Sequence, residues 1–121
     1  MNNMAKLYHN PRCSKSRQAL ALLESKNITF DSVLYLKTVP SKSTIRDLIS
    51  RYDGDAIDFV RTNEAEYRDS EHPVSEIDSV QYLCNIISKY PRILQRPIFD
   101  DGEKVFIGRP PENILESSLF L

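Results

Sequence analysis

The apolar positions of this chain fall into short blocks with different spacings, and each spacing predicts an element. Met4 to His9 is a brief, largely apolar run that stops at Asn10-Pro11 and predicts a strand. From Ser14 to Lys26 the residues Ala19, Leu20, Leu22 and Leu23 recur at helical spacing. Thr29 to Tyr35 is rich in β-branched and aromatic residues and predicts a second strand paired with the first. The chain therefore opens as a βαβ unit.

Pro40-Ser41 introduces a helix with Ile45, Leu48, Ile49 and Tyr52 on one face, and Asp53-Gly54 is its stop signal. A short helix follows around Ile57 to Val60, and Arg61 to Ser75 is a polar stretch with no element assigned. Ile77 to Tyr90 places Ile77, Val80, Leu83, Cys84 and Ile87 on one stripe and ends at Pro91. Beyond it, Pro97-Ile98-Phe99 and Lys104 to Ile107 flank Asp100-Asp101-Gly102-Glu103, whose Asp-Gly pair is a hairpin signal. Pro110-Pro111 and Glu112 start a terminal helix that carries Ile114, Leu115 and Leu119. The predicted order is βαβ, a helical block, then ββα. Without repeats or a linker, the block over residues 38–92 reads as an insertion in a single α/β domain spanning residues 1–121.

Composition narrows the function. The 121 residues can bury a core without staples, and 40% hydrophobic with 27% charged residues is an ordinary globular balance. Sixteen Lys and Arg against 17 Asp and Glu leave a formal net charge of −1, which gives no nucleic-acid footprint. No apolar run approaches the roughly 20 residues of a membrane span, and no signal peptide opens the chain, which predicts a cytoplasmic protein without membrane contact. With no exposed apolar helix, a monomer is expected. The three glycines are scattered, so no phosphate-cradling loop can be assembled. Cys13 and Cys84 make no metal-spaced pair with His or Cys, so no zinc site is expected.

Cys13 lies between a strand and a helix N-terminus, where unpaired N–H groups and the helix dipole favour the thiolate. Arg12, Lys15 and Arg17 add positive charge, and His9 is near enough in sequence to approach the sulfur. Cys13-Ser14-Lys15-Ser16 is C-x-x-S, so an adduct on Cys13 would need an outside thiol to resolve it. The bland alternative is a small buried cysteine. Cys84, on the apolar stripe, reads as core, with a resolving cysteine as the alternative. Arg61, Arg96 and Arg109 each sit at an element boundary. They are either solvated, or a bidentate set for a tetrahedral oxyanion, because guanidinium stays charged and matches phosphate or arsenate geometry. His72 reads as a surface residue, and a lone His9 at a strand end is either structural or a partner of Cys13.

Four strings carry a resemblance. Tyr8-His9-Asn10-Pro11-Arg12-Cys13-Ser14-Lys15-Ser16-Arg17, Val60 to Tyr67, Ile93-Leu94-Gln95-Arg96-Pro97-Ile98 and Ile107-Gly108-Arg109-Pro110-Pro111-Glu112 together resemble the glutaredoxin-coupled arsenate reductase family, in its order and spacing. The resemblance implies a thioredoxin-like fold with a helical insertion between the second and third strands. It implies Cys13 as nucleophile, His9 as the histidine lowering its pKa, and Arg61, Arg96 and Arg109 as the holders of the oxyanion and its adduct. It further places Pro97 at the cis-proline position beside the site, with Ser16 next to the nucleophile. Better-studied members read Cys-Gly-Thr-Ser-Arg where this chain has Cys13-Ser14-Lys15-Ser16-Arg17.

The implied activity is arsenate reduction, with glutathione as external reductant, glutaredoxin as protein partner, and no bound cofactor or metal. Two other readings share the fold. One is a general monothiol, glutathione-dependent oxidoreductase. The other is a redox-sensing transcription regulator, a class that typically carries C-x-x-C where this chain has Ser16.

Overall fold

A computed structural model describes residues 5–69 and 80–120. Strand β1 (Ala5–His9) runs into helix α1 (Ser14–Ser25), and strand β2 (Phe30–Leu34) returns parallel to β1. Asn27, at φ 57°, takes the left-handed conformation that turns the chain out of α1. Helices α2 (Lys42–Ser50), α3 (Ala65–Asp69) and α4 (Val80–Lys89) follow, with 3₁₀ turns at Ala56–Phe59 and Pro91–Ile93. Strands β3 (Ile98–Asp100) and β4 (Val105–Ile107) form an antiparallel hairpin, and 3₁₀ turns Pro111–Glu116 and Ser118–Phe120 end the fold.

The sheet order is β2-β1-β3-β4, with β3 antiparallel to β1. Alternation along β1 and β3 feeds two cores. Leu7 lies opposite Phe99, and both pack with Ala19, Leu23 and Ile114 on the α1 side. Tyr8 lies opposite Ile98, and both pack with Ile45, Leu48, Leu83 and Ile87 on the side of the inserted helices. Buried on both faces, β1 and β3 read as nearly continuous apolar runs. This is the thioredoxin-like α/β architecture with its helical insertion between β2 and β3. Among the described residues no helix is long and apolar enough to cross a membrane.

Several boundaries differ from the sequence reading. The helix opened by Ser41, whose side chain accepts from the Thr44 N–H, stops at Ser50 rather than at Asp53-Gly54. Arg51 is drawn out of it, because its carbonyl accepts from the Val105 N–H and its guanidinium pairs with Asp100, and Tyr52 then bridges to Val105. The polar stretch after Arg61 holds α3, a single short turn anchored by buried Tyr67. The terminal helix is 3₁₀ and broken at buried Ser117, whose hydroxyl donates to the Asp101 carboxylate at 2.6 Å. Met4, His72 and the predicted helix start at Ile77 lie outside the described residues.

The hairpin loop is Asp101 to Lys104, one residue later than expected, since Asp100 belongs to β3. The Asp101 carboxylate accepts from the Glu103 and Lys104 N–H groups, and Gly102 supplies the positive φ of 100°.

Candidate active site

Asn10 builds the loop that carries the cysteine. Its carbonyl accepts from the Cys13 N–H at 3.0 Å, and its side-chain oxygen accepts from the Arg12 N–H at 3.0 Å. Cys13 then takes the N-cap position of α1 with extended backbone (φ −95°, ψ 123°), and its side chain caps no helical N–H. The half-buried thiol sits among the free N–H groups of the first turn.

Burial raises the Cys13 pKa, but the Ser16 N–H, the Arg96 guanidinium and the Lys15 N–H outweigh it, and the net direction is down. Arg109 places Nη1 3.9 Å from Sγ, a long contact, while donating to the Arg96 carbonyl at 3.1 Å. The guanidinium of Arg96 is thus the chief charge acting on the sulfur. Lys15 acts through its backbone rather than its ammonium. Arg12 and Lys15 are exposed, and exposed Arg17 donates to the Pro11 carbonyl at 2.9 Å.

Arg109 is delivered by the hairpin. The Arg96–Pro97 peptide bond is cis, and the Gly108 N–H donates to the Pro97 carbonyl at 2.9 Å. A Cβ on Gly108 would lie 2.8 Å from Pro97 Cγ, so only glycine permits this approach. Arg109–Pro110 is also cis, a feature the sequence reading did not name.

Arg61 is engaged within its own segment. Its guanidinium pairs with Glu64 at 2.9 Å, while its N–H donates to the Ile93 carbonyl and ties this segment to the one bearing Arg96. His9 is buried and turned to Ser16, with Nδ1 2.7 Å from Oγ, and the Asn10 N–H donates to the same oxygen at 3.0 Å. Burial and the charge of Arg17 lower the imidazole pKa, which leaves His9 neutral at neutral pH. Its hydrogen bond goes to Ser16, the residue whose N–H stabilises the thiolate, so any influence on Cys13 is relayed through the helix start.

Cys84 is buried in α4, and burial pushes its thiol pKa up against smaller effects of Arg46 and its own backbone. That is the setting of a packing residue. A groove of about 470 Å³, lined in part by Val60, Thr62, Gln95 and Arg109, opens beside the Arg109 guanidinium. A larger hollow of about 560 Å³ between Arg51, Lys104 and Glu116 contains no residue of the Cys13 constellation.

Among known proteins, the sequence matches the ArsC family over residues 8–117. The chain belongs to the ArsC family. It is 38% identical over 117 residues to the uncharacterized protein YfgD of Escherichia coli, covering 96% of this chain and 98% of that one. An arsenate reductase of Neisseria meningitidis is 37% identical over 110 residues, covering 90% and 93%. The structure of an arsenate reductase from Vibrio cholerae has a TM-score of 0.80 at 31% identity, covering 96% and 98%. Further out, the global transcriptional regulator Spx of Streptococcus mutans is 29% identical over 105 residues, covering 87% and 76%.

Two residues around the Cys13 loop escape sequence reasoning. Asn10 looks like a mere strand stop, yet it shapes the loop. Tyr35 looks like the last residue of a strand, yet it is wholly buried just past β2, beside that loop. Their only sequence signal is position: each immediately follows one of two parallel strands at the end where Cys13 lies.

Proposed function

We propose that this protein is an arsenate reductase in which the Cys13 thiolate forms the covalent adduct and glutathione and glutaredoxin supply the reducing thiols. The observation that carries the reading is the half-buried thiol at the start of α1, held below the ordinary range by helix N–H groups and Arg96, with a second guanidinium 3.9 Å away. Family membership and the named arsenate reductase relatives point the same way.

The Cys13 sulfur attacks arsenic(V), an S–As bond forms, and an oxygen leaves as water after protonation. Arg96 and Arg109 balance the negative charge of the arsenate and the adduct. Arg61 joins them by exchanging Glu64 for an oxyanion oxygen. A glutathione sulfur then bonds to the Cys13 sulfur, the S–As bond breaks with its electron pair remaining on arsenic, and arsenic(III) leaves as arsenite. A glutaredoxin thiolate attacks the glutathione sulfur of the mixed disulfide, taking up the glutathionyl group and returning the Cys13 thiolate. Two electrons reach arsenic, one from each sulfur of that disulfide. The groove beside Arg109 has room for the incoming thiol. Ser16 stands where a dithiol protein would have its second sulfur, and its oxygen is committed to His9 and Asn10.

The test is arsenite formation by the pure protein with arsenate, glutathione and glutaredoxin. Turnover is expected, with at least about a thousandfold loss in Cys13→Ser. Absence of turnover in the native chain, or equal turnover in Cys13→Ser, contradicts the reading.

A further inference from the structure

Strands β1 and β2 run parallel, so both finish at the end of the sheet where Cys13 lies, while the β3–β4 hairpin loop and the last turn of α1 lie at the other end. Charge divides along the same axis. The segments 10–17, 35–39, 94–97 and 108–111 at the Cys13 end contain no Asp or Glu. Arg12, Lys15, Arg17, Lys37 and Arg109 are exposed on them, whereas Glu24, Asp31 and Glu103 are exposed at the far end. Arg12, Lys15 and Lys37 pair with no carboxylate among the described residues. A net charge of −1 therefore conceals one strongly cationic end.

The ladder between β1 and β2 ends with His9 opposite Leu34, and the Lys37 and Thr38 N–H groups both donate to the Leu34 carbonyl at 2.9 Å. The chain past β2 thus winds into one turn on the strand end, in register with the loop that carries Cys13. Among the described residues the exposed large apolar side chains are Leu36 and Val39, each 42% exposed, and Leu119. A single exposed leucine is ordinary. Two apolar side chains flanking Lys37 at the reactive end, with cations around them, have the apolar centre and charged rim of a protein-binding surface.

A small anion such as arsenate uses the cations and leaves Leu36 and Val39 uncovered. A protein surface covers both. We propose that residues 36–39 and the cations around them are the docking surface for the protein thiol that regenerates Cys13, a partner with carboxylates around its own reactive cysteine. This rests on the reading of Cys13 as the thiol that carries a glutathionyl group. The partner thiolate bonds to the glutathione sulfur, the disulfide to Cys13 breaks, and Cys13 leaves as the thiolate. The surface sets the rate and orientation of encounter and leaves that exchange itself unchanged.

The experiment loads Cys13 with glutathione by exchange with oxidised glutathione, which releases one glutathione thiolate. It then follows glutathione release from the native chain, Lys37→Glu and the double variant Leu36→Ser, Val39→Ser. The two reductants are a glutaredoxin with carboxylates around its cysteine and, as an uncharged control, dithiothreitol. With glutaredoxin at low salt, kcat/KM is expected to fall about tenfold in Lys37→Glu, a gap that closes as salt is added. It falls about fivefold in the double variant at either salt concentration. Rates with dithiothreitol and melting temperatures stay at the native values. Variants that react with glutaredoxin at the native rate overturn the proposal, and so does an equal loss with dithiothreitol, which would place the effect at Cys13 itself. Self-association of the native chain that Lys37→Glu abolishes, with glutaredoxin rates unchanged, would assign the face to the acidic end of a second copy and overturn the proposal as well. A native Cys13 that takes up no glutathione overturns the reading of that thiol, and the docking surface falls with it.

Discussion

Arg96 and Arg12 are both close to Cys13 in different senses, and only one of them acts on it. Arg12 is the immediate neighbour in sequence and points to solvent, where its charge is screened. Arg96 is 83 positions away, yet its guanidinium is the side chain that lowers the Cys13 pKa. Arg96→Ala is expected to raise the alkylation midpoint of Cys13 by about one unit, and Arg12→Ala to leave it nearly unmoved. Equal effects of the two would contradict the geometry. The setting of Cys13 is legible in sequence because a strand, a turn and a helix start are local features. The choice among cations is not, because it depends on which segments the sheet brings to one end. The same holds for His9, whose neighbour in space is Ser16, tied to it by a hydrogen bond that no spacing rule reveals.

At the scale of elements, the central strand β3 ends in a buried carboxylate. Asp100 accepts from Arg51 at 2.6 and 2.8 Å and from the Gly102 N–H at 2.9 Å. Burial raises its pKa, but these partners reverse the direction and hold it below the ordinary carboxylate range. A carboxylate whose pKa is lower in the folded state contributes stability that is fully present above the unfolded value and lost as pH falls through the folded one. Asp100→Asn is expected to cost about 2–3 kcal/mol at neutral pH, with the gap to the native chain closing as pH drops below about 4. Denaturant unfolding at several pH values checks this, and a gap that does not depend on pH would contradict it. The ion pair also explains a boundary the pattern misplaces: the apolar face of α2 continues to Tyr52, but Arg51 is pulled toward β3 and the helix ends at Ser50. Likewise α3 follows from buried Tyr67 in an otherwise polar stretch, too weak a periodic signal to assign an element.

At the scale of the whole molecule, the strand and helix order is readable because β1 and β3 are buried on both faces, while α1, α2 and the described part of α4 keep clean apolar stripes. The sheet order β2-β1-β3-β4 then brings the loop after β1 beside the segment before β3 and the one after β4. Cys13, Arg96 and Arg109 meet because of that order, and the close approach of Gly108 to Pro97 completes it. The central claim is that this meeting makes an activated thiol in an oxyanion pocket. The measurement that tests it most directly is the pH dependence of Cys13 alkylation in the native chain, with and without arsenate. A midpoint below that of an ordinary thiol is expected, together with protection by arsenate. A thiol that titrates like a free cysteine and alkylates equally fast with arsenate present would contradict it.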